Sequence, residues 1–192
     1  MASGKLPCTR RFALPHSFTP ARKRDSPPVI SEWLSIDEFP TYSVSSLGQV
    51  RNDETGHIMT MLLTQSGLVH VGLTRDRKLY KRSVPLLVAN HFMVPPRHVT
   101  FNTPINLDGN RLNNNVENLV WRPKWFAARY HLQFKLADLK PTMSVEDVDT
   151  GVVYKSTWDA VVTHGLVDDD IRIATKTGLE VWPTFQRFRA LE

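Results

Sequence analysis

The sequence predicts an α+β fold in which small groups of antiparallel strands alternate with short helices. Bulky and small residues alternate over residues 42–50, 67–73 and 78–84, a period typical of half-buried strands. Residues 83–92 and 123–136 instead place apolar side chains at helical spacing. Residues 143–178 combine a hairpin signal with the start and stop signals of two short helices. At 192 residues, the chain can form one domain or two small ones.

The first half of the chain should form a small antiparallel β meander. Gly48 is placed where a hairpin would turn, and the polar residues 74–77 form a second turn between alternating runs. Ser83 is the expected N-cap of the helix that follows, and Pro85 falls in its first turn.

The last third of the chain should form a β-hairpin followed by two helices joined by a turn. Asp149-Thr150-Gly151 is expected at the hairpin tip. Ser156 and Asp159 have the spacing of a capping box, and Gly165 is placed to end that helix. Asp168 or Asp169 is then predicted to cap the second helix.

The net charge of +5 is distributed unevenly along the chain. Residues 1–30 carry a net +5 and residues 31–70 a net −4. Residues 71–135 hold eleven basic and three acidic residues, a net +8, and residues 136–192 carry −4. Lys and Arg gathered in one segment indicate a polyanionic partner.

Composition also excludes several classes of protein. The single cysteine, Cys8, rules out an internal disulfide and a cysteine-rich zinc site. No apolar run approaches the roughly 18 residues of a membrane span, so no membrane partner is expected. We predict a basic flexible arm at 1–30, a first folded unit at 31–135 and a C-terminal module at 143–192.

Residues 106–121 contain six asparagines, one Asp and one Gly, and end on an apolar Leu-Val-Trp. Short amides bond to their own backbone and tolerate turn conformations, so the stretch predicts a tightly bonded loop. The segments that precede it are EWLSIDEFPTYSVSSLGQVR, SGLVHVGL and VPLLVANHF. In this order, with INLDGNRLNNNVENLVW, they resemble the NUMOD4-type N-terminal module and HNH domain of phage and intron homing endonucleases. The resemblance covers about residues 31–130.

Residues 145–174 resemble the small helix-turn-helix-like repeat that often follows in that family. The resemblance implies a ββα-metal unit of the HNH, or His-Me finger, type. In that unit a histidine acts as general base, and a carboxylate and a helix asparagine hold one divalent metal ion. These positions fall on Asn106, Ile105 and Ala127, respectively. None of the three can perform the family's chemistry, so the resemblance implies a degenerate site with no catalytic residue and no metal ligand.

The residues that match the family pattern are those that shape the loop. We expect loop-structural roles for Asp108, Gly109, Asn110, Asn114, Asn118 and Trp121.

Basic residues around this loop and in the C-terminal module are the candidates for nucleic-acid binding. Most would contact phosphates without reading sequence, whereas the second tail helix could contact bases or simply be a solvated helix. The candidates are Arg75, Arg77, Lys78, Lys81, Arg82, Arg111, Arg122, Lys124, Arg129, Arg172 and Lys176.

The favoured function is a nucleic-acid-binding protein derived from an HNH homing endonuclease that has lost cleavage. DNA is the favoured partner, with RNA or a protein assembly as alternatives. A second hypothesis is a structural or protein-interaction component of a phage or nucleoprotein assembly. A third is an active endonuclease with a non-standard site, which alone would need Mg²⁺. The resemblance implies a cytoplasmic location in a phage-infected cell, or a phage particle, and an organelle remains an alternative.

Overall fold

The computed structural model describes residues 31–191, apart from residues 66, 97, 138 and 139. The predicted basic arm at 1–30 therefore lies outside the described residues. The described part is a mixed fold of small antiparallel sheets and short helices, which confirms the predicted class. No helix among the described residues is both long and apolar enough to cross a membrane.

Two three-stranded antiparallel sheets form the first half of the described chain. The first contains β1 (Trp33–Ile36), β2 (Phe39–Ser45) and β3 (Val50–Asn52) in that order. The second contains β4 (Leu62–Leu63), β5 (Val69–Arg75) and β6 (Lys78–Ser83), again in sequence order. The predicted hairpins at Gly48 and at residues 74–77 are therefore confirmed as the β2–β3 and β5–β6 turns.

The β5–β6 turn is tight. Asp76 and Arg77 form its two-residue loop, with φ of 51° and 61°. Two positive φ values define the type I′ turn, whose twist suits a hairpin. The basic side chains on β6 are therefore presented at and beside an exposed hairpin tip.

Helix α1 (Val84–Phe92) packs on the second sheet. Ser83 is its N-cap residue and proline occupies the first turn, as predicted, although the serine side chain makes no capping bond. The buried residues of the two sheets and of α1 form one hydrophobic core, and Leu119 from the next segment joins it. Its largest members include Phe39, Val44, Val71, Leu73, Val84 and Val88.

A two-stranded hairpin and a helix follow. Strands β7 (Thr103–Asn106) and β8 (Leu119–Arg122) pair antiparallel, and α2 (Lys124–Gln133) starts after Pro123. Their connecting loop ends in a 3₁₀ turn at Val116–Asn118. The predicted helix over residues 123–136 is therefore present, with its regular part ending at Gln133.

The C-terminal part combines a small sheet with two helices. It contains β9 (Val145–Asp147), β10 (Val153–Tyr154), α3 (Thr157–His164), α4 (Asp168–Thr177) and β11 (Phe188–Ala190). The predicted hairpin is β9–β10. Strand β11 pairs with the other side of β9 and was not predicted from the sequence.

The predicted limits of α3 are confirmed. Ser156 and Asp159 exchange both bonds of a capping box, at 3.2 and 3.0 Å. Gly165 closes the helix in the left-handed conformation with φ of 63°. The prediction for α4 was wrong, because Val167 is its N-cap residue and no side chain caps it. Asp168 is instead the first helical residue, and its side chain is buried in ion pairs.

A second hydrophobic core joins the β7–β8–α2 segment to the C-terminal sheet and helices. Ile105, Phe126 and Tyr130 lie in the same buried cluster as Trp158 and Ile171. The core therefore crosses the predicted boundary between residues 135 and 143.

Candidate functional site

Asp108 is the centre of the asparagine-rich loop between β7 and β8. Its Oδ1 accepts hydrogen bonds from the Asn110 backbone N–H at 2.9 Å and from Asn118 Nδ2 at 2.8 Å. Its Oδ2 accepts a bond from Asn113 Nδ2 at 2.6 Å. Both carboxylate oxygens are thus bonded within the loop, where they order it.

The asparagine amides supply most of the remaining loop bonds. Asn118 accepts from the Asp108 backbone N–H at 3.1 Å and donates to the Asn113 carbonyl at 2.8 Å. Asn110 Oδ1 accepts from the backbone N–H of Leu112 at 3.1 Å. Such bonds replace the strand pairing that an irregular loop lacks. Six short amides in one stretch therefore have a structural explanation.

Position 109 requires glycine for two reasons, the conformation of its backbone and the lack of space for a side chain. Its φ is 71°, and a Cβ at this position would lie 2.5 Å from the ring of Phe134. Any L side chain would be strained by the backbone and would collide with that ring.

Asp108→Ala tests the loop network. We expect the free energy of unfolding to fall by about 2 kcal/mol, because the N–H groups of Asn110, Asn113 and Asn118 lose a charged acceptor. Urea unfolding measures the loss, with Glu117→Ala as the control because no hydrogen bond or ion pair of its carboxylate is found among the described residues. Equal stability of the two variants would contradict this role.

The positions that the resemblance assigns to the family's catalytic groups are buried. Ile105 is fully buried and Ala127 is nearly so, and both belong to the second hydrophobic core. Asn106 is also buried, and its Nδ2 donates to the Asn113 carbonyl at 2.8 Å and to Asn114 Oδ1 at 3.1 Å. An aliphatic pair and a bonded amide offer neither a base nor anionic metal ligands, so these residues do not fit a divalent metal ion.

No replacement metal cluster is found in the described part of the chain. Its His, Cys, Asp and Glu side chains form no group of three that could hold an ion. His131, on α2, is half-buried, and its Nδ1 has no hydrogen-bond partner. Burial, with a smaller effect from the charge of Arg111, lowers the pKa of His131 to about 4. The imidazole is therefore neutral at pH 7.

Trp121 and Asn114 both contact parts of the fold outside the loop. Trp121 is buried at the edge of a cavity of about 270 Å³ that α1 and the following proline segment also line. Asn114 packs against Gly48 of the β2–β3 turn, and nearby the Val116 N–H donates to the Ser46 carbonyl at 2.8 Å. The loop is thereby fixed to the first sheet.

The five basic candidates on the β5–β6 hairpin separate into two groups. Arg75 and Arg82 lie over the rings of Phe39 and Tyr80, and Arg82 forms a salt bridge with Glu38. Bonding to Arg82 lowers the pKa of the Glu38 carboxyl against the opposing effect of burial. These two arginines therefore bind intramolecular partners.

The other three cations of this hairpin face solvent. Arg77, Lys78 and Lys81 are exposed, and none forms an ion pair with a described acidic residue. Arg77 and Lys78 lie at the tip, whereas Lys81 pairs with Gly72 on the strand. We refer to these three residues as the hairpin cations.

Arg122 is buried and bonded within the fold, so its side chain is not available to a phosphate as predicted. Its side chain is buried and donates to the carbonyls of Trp121, His164 and Gly165 at 2.9, 2.7 and 3.3 Å. Two of these carbonyls end α3, so Arg122 caps that helix from another part of the chain. Burial lowers the pKa of its guanidinium to about 10, so it remains charged at pH 7.

Arg172 is a second predicted nucleic-acid contact whose side chain is bonded within the fold. Its Nε bonds to Asp168 at 2.8 Å, and its NH2 donates to the Pro141 carbonyl at 2.7 Å. It cannot read bases without breaking these bonds, and the side chain of Asp168 is buried beneath it.

The remaining basic candidates differ in whether their side chains are bonded within the fold. Arg129 forms a 2.8 Å salt bridge with Asp170, and Arg111 donates to the Gly67 carbonyl at 3.0 Å. Lys124 and Lys176 are exposed and form no ion pair with the described acidic residues.

Comparisons with known proteins agree with the residue pattern. The NUMOD4 motif model matches residues 32–74, which contain β1 to β4 and all but the last residue of β5. An uncharacterised HNH endonuclease of Acanthamoeba polyphaga mimivirus is 31% identical over 93 residues, which cover 48% of this chain and 27% of that protein. A second uncharacterised HNH endonuclease from the same virus is 29% identical over 120 residues, which cover 62% of this chain and 29% of that protein. The chain thus spans less than a third of either relative.

The described chain can also be overlaid on a solved structure of the HNH homing endonuclease I-HmuI, described as showing DNA binding and cleavage. The TM-score is 0.46 and the identity 23%, over 83% of this chain and 98% of that one. An overlay of this quality supports no correspondence between residues. The motif and the sequence matches define the class, a NUMOD4-containing protein related to HNH endonucleases. The sequence matches make this chain similar to HNH endonucleases, and the motif match makes its residues 32–74 similar to NUMOD4.

Proposed function

We propose that this protein binds DNA on a scaffold derived from an HNH homing endonuclease and does not cleave it. The observation that carries the proposal is the burial of Ile105 and Ala127 in a hydrophobic core, with Asn106 bonded inside the loop. We propose further that the β7–β8–α2 segment is a ββα-metal unit without its metal, and that α3 and α4 form a helix-turn-helix-like pair. The cytoplasmic location stays a prediction.

Burial makes restoration of the family residues unfavourable. Asp at position 105 would place a carboxylate where the side chain has no access to water. Sequence reasoning alone suggests Ile105→Asp with Asn106→His and Ala127→Asn as a gain-of-cleavage test. The packing supports the opposite expectation, a loss of folding before any gain of activity.

The hairpin cations support the binding part of the proposal. Exposed cations without an acidic partner keep their full charge available for phosphate groups. Arg77 and Lys78 at the exposed turn, with Lys81 on the adjoining strand, let a duplex approach without rearrangement of the core. Lys124 adds a further free cation at the start of α2.

The test is a titration of the whole chain with labelled duplex DNA at roughly 50 and 200 mM salt. A nicking assay on supercoiled plasmid with Mg²⁺ or Mn²⁺ accompanies it. We expect salt-sensitive binding and no nicks. Cleavage that depends on the metal would overturn the proposed loss of activity, and absence of binding at low salt would favour a role in a protein assembly.

Replacing the hairpin cations together, as Arg77→Ala, Lys78→Ala and Lys81→Ala, should weaken duplex binding. If each contacts one phosphate, the slope of log K against log salt falls by about 2 to 3. Lys155→Ala is the matched control, because Lys155 is also exposed and free of described acidic partners but follows β10. An unchanged slope in the triple variant would remove the hairpin from the interface.

A further inference from the structure

An aromatic stack lies on the surface where α2 begins. Trp125 is the second residue of α2, and Trp182 lies between α4 and β11. Their rings are stacked, with centroids 5.1 Å apart and planes 28° from parallel. Phe126 and Phe101 hold Trp182 from other directions, at centroid distances of 5.3 and 5.7 Å. The position of Trp182 is therefore fixed by ring contacts from two separate parts of the chain, α2 and Phe101.

The stack leaves one aromatic face in water. Trp125 is 57% exposed although Trp182 stacks against it, so its other face is accessible. Phe185 is 60% exposed and lines an open groove together with Trp182 and Leu179. We call Trp125, Trp182 and Phe185 the aromatic platform. Large exposed aromatic side chains in a continuous surface mark interaction sites.

Two exposed lysines lie close in sequence to residues of the platform and its groove. Lys124 precedes Trp125, and Lys176 stands in the last turn of α4, just before the groove residues Gly178 and Leu179. Neither lysine forms an ion pair with a described acid. Of the charged residues that line the groove, Glu180 and Arg187 have opposite signs, and Arg187 is bound to Asp149. Arg187 and Asp149 neutralise each other, so Lys124, Lys176 and Glu180 together leave a net positive charge near the rings, which favours an anionic partner.

We propose that the aromatic platform binds unpaired nucleotides of a single-stranded nucleic-acid segment. One base stacks on the open face of Trp125 and another on Phe185, while Lys124 and Lys176 take the phosphates. Flat aromatic side chains with neighbouring cations form such sites because every base has a stacking face. Bases inside a duplex are already stacked on both sides, so the platform selects unpaired ones. This inference rests on the proposed nucleic-acid-binding function.

The test compares a labelled oligo-dT with a blunt duplex, using the full chain. Trp125→Ala should weaken binding of oligo-dT about tenfold and leave duplex binding unchanged. Trp125→Phe retains an aromatic face and should restore most of the affinity. Leu132→Ala is the matched control, since Leu132 lies on the same helix and is 54% exposed. Binding should also quench tryptophan fluorescence, and the quenching should shrink in Trp125→Ala.

The outcomes separate the inference from the function on which it rests. Wild-type affinity of Trp125→Ala for oligo-dT would overturn the inference, as would an equal loss for duplex and oligo-dT with a lowered Tm. Binding of duplex but not oligo-dT by the wild type would also overturn it and leave the proposed function standing. Absence of binding to either polymer at low salt would overturn the proposed function.

Discussion

Arg122→Ala should lower the free energy of unfolding by about 4 kcal/mol. The buried guanidinium donates to three carbonyls, and its removal leaves them without a donor in a place that water does not reach. The two carbonyls at the end of α3 lose the group that caps them. Packing against the ring of Phe126, 5.8 Å from the guanidinium carbon, is lost as well.

Urea unfolding followed by circular dichroism measures this loss, and Arg129→Ala is the control. Arg129 is also an arginine, seven residues along the chain, but its partner Asp170 and its own side chain are partly exposed. Its replacement should change the free energy of unfolding by less than about 1 kcal/mol. If the two variants were equally stable, Arg122 would not be the structural residue that its contacts indicate.

Asp168→Ala should cost about 3 kcal/mol at pH 7. Its side chain is fully buried at the start of α4, where one oxygen bonds to Arg172 at 2.8 Å and to Lys140 at 3.1 Å. Removal of the carboxylate leaves two cations close together without their shared partner. The first turn of α4 also loses a favourable negative charge. Asp169→Ala is the control, because Asp169 bonds to the same Lys140 from an exposed position.

The contribution of Asp168 should depend on pH. Burial alone would raise the pKa of its carboxyl, but bonds with Thr157, Arg172 and Lys140 outweigh burial and hold the pKa below its ordinary value. A group whose pKa is lower in the folded state stabilises the protein above its unfolded pKa, about 3.9 for Asp. That stabilisation is lost as pH falls through the folded value. The stability difference between wild type and Asp168→Ala should therefore shrink from pH 7 to about pH 3, and a constant difference would contradict the ion pairs.

Local signals in the sequence were sufficient for the parts of the fold that depend on a few neighbouring residues. The capping box at Ser156 and Asp159 and the glycine that ends α3 involve bonds across three or four positions. The hairpin turns at Gly48 and Arg77 likewise depend on adjacent residues. Strand β11 was missed because its partner β9 lies some forty residues earlier, and no short pattern reports that pairing.

The sequence was sufficient to predict which types of residue form the candidate site, but not which partners each residue contacts. A count of basic residues gives the same weight to Arg77, Arg122 and Arg172. In the folded chain Arg122 reaches carbonyls 42 and 43 residues away, whereas Arg77 lies at a turn with no acid to bind. The acidic run at the start of α4 explains part of the difference, since Lys140, Arg129 and Arg172 neutralise it. Charge along a sequence therefore indicates a class of partner, and the fold decides which cations remain available.

The second hydrophobic core, which joins the β7–β8–α2 segment to the C-terminal sheet and helices, limits how such a chain can be altered by recombination. Families built from separable modules exchange them when a breakpoint falls in a linker that few contacts cross. A breakpoint between residues 135 and 143 would here separate Ile105, Phe126 and Tyr130 from Trp158 and Ile171. A chimera that received a foreign C-terminal piece would expose one side of that cluster and leave the buried Arg122 without the carbonyls of His164 and Gly165. Successful exchange would require the two halves to have co-adapted, so residues 103–191 should be inherited together.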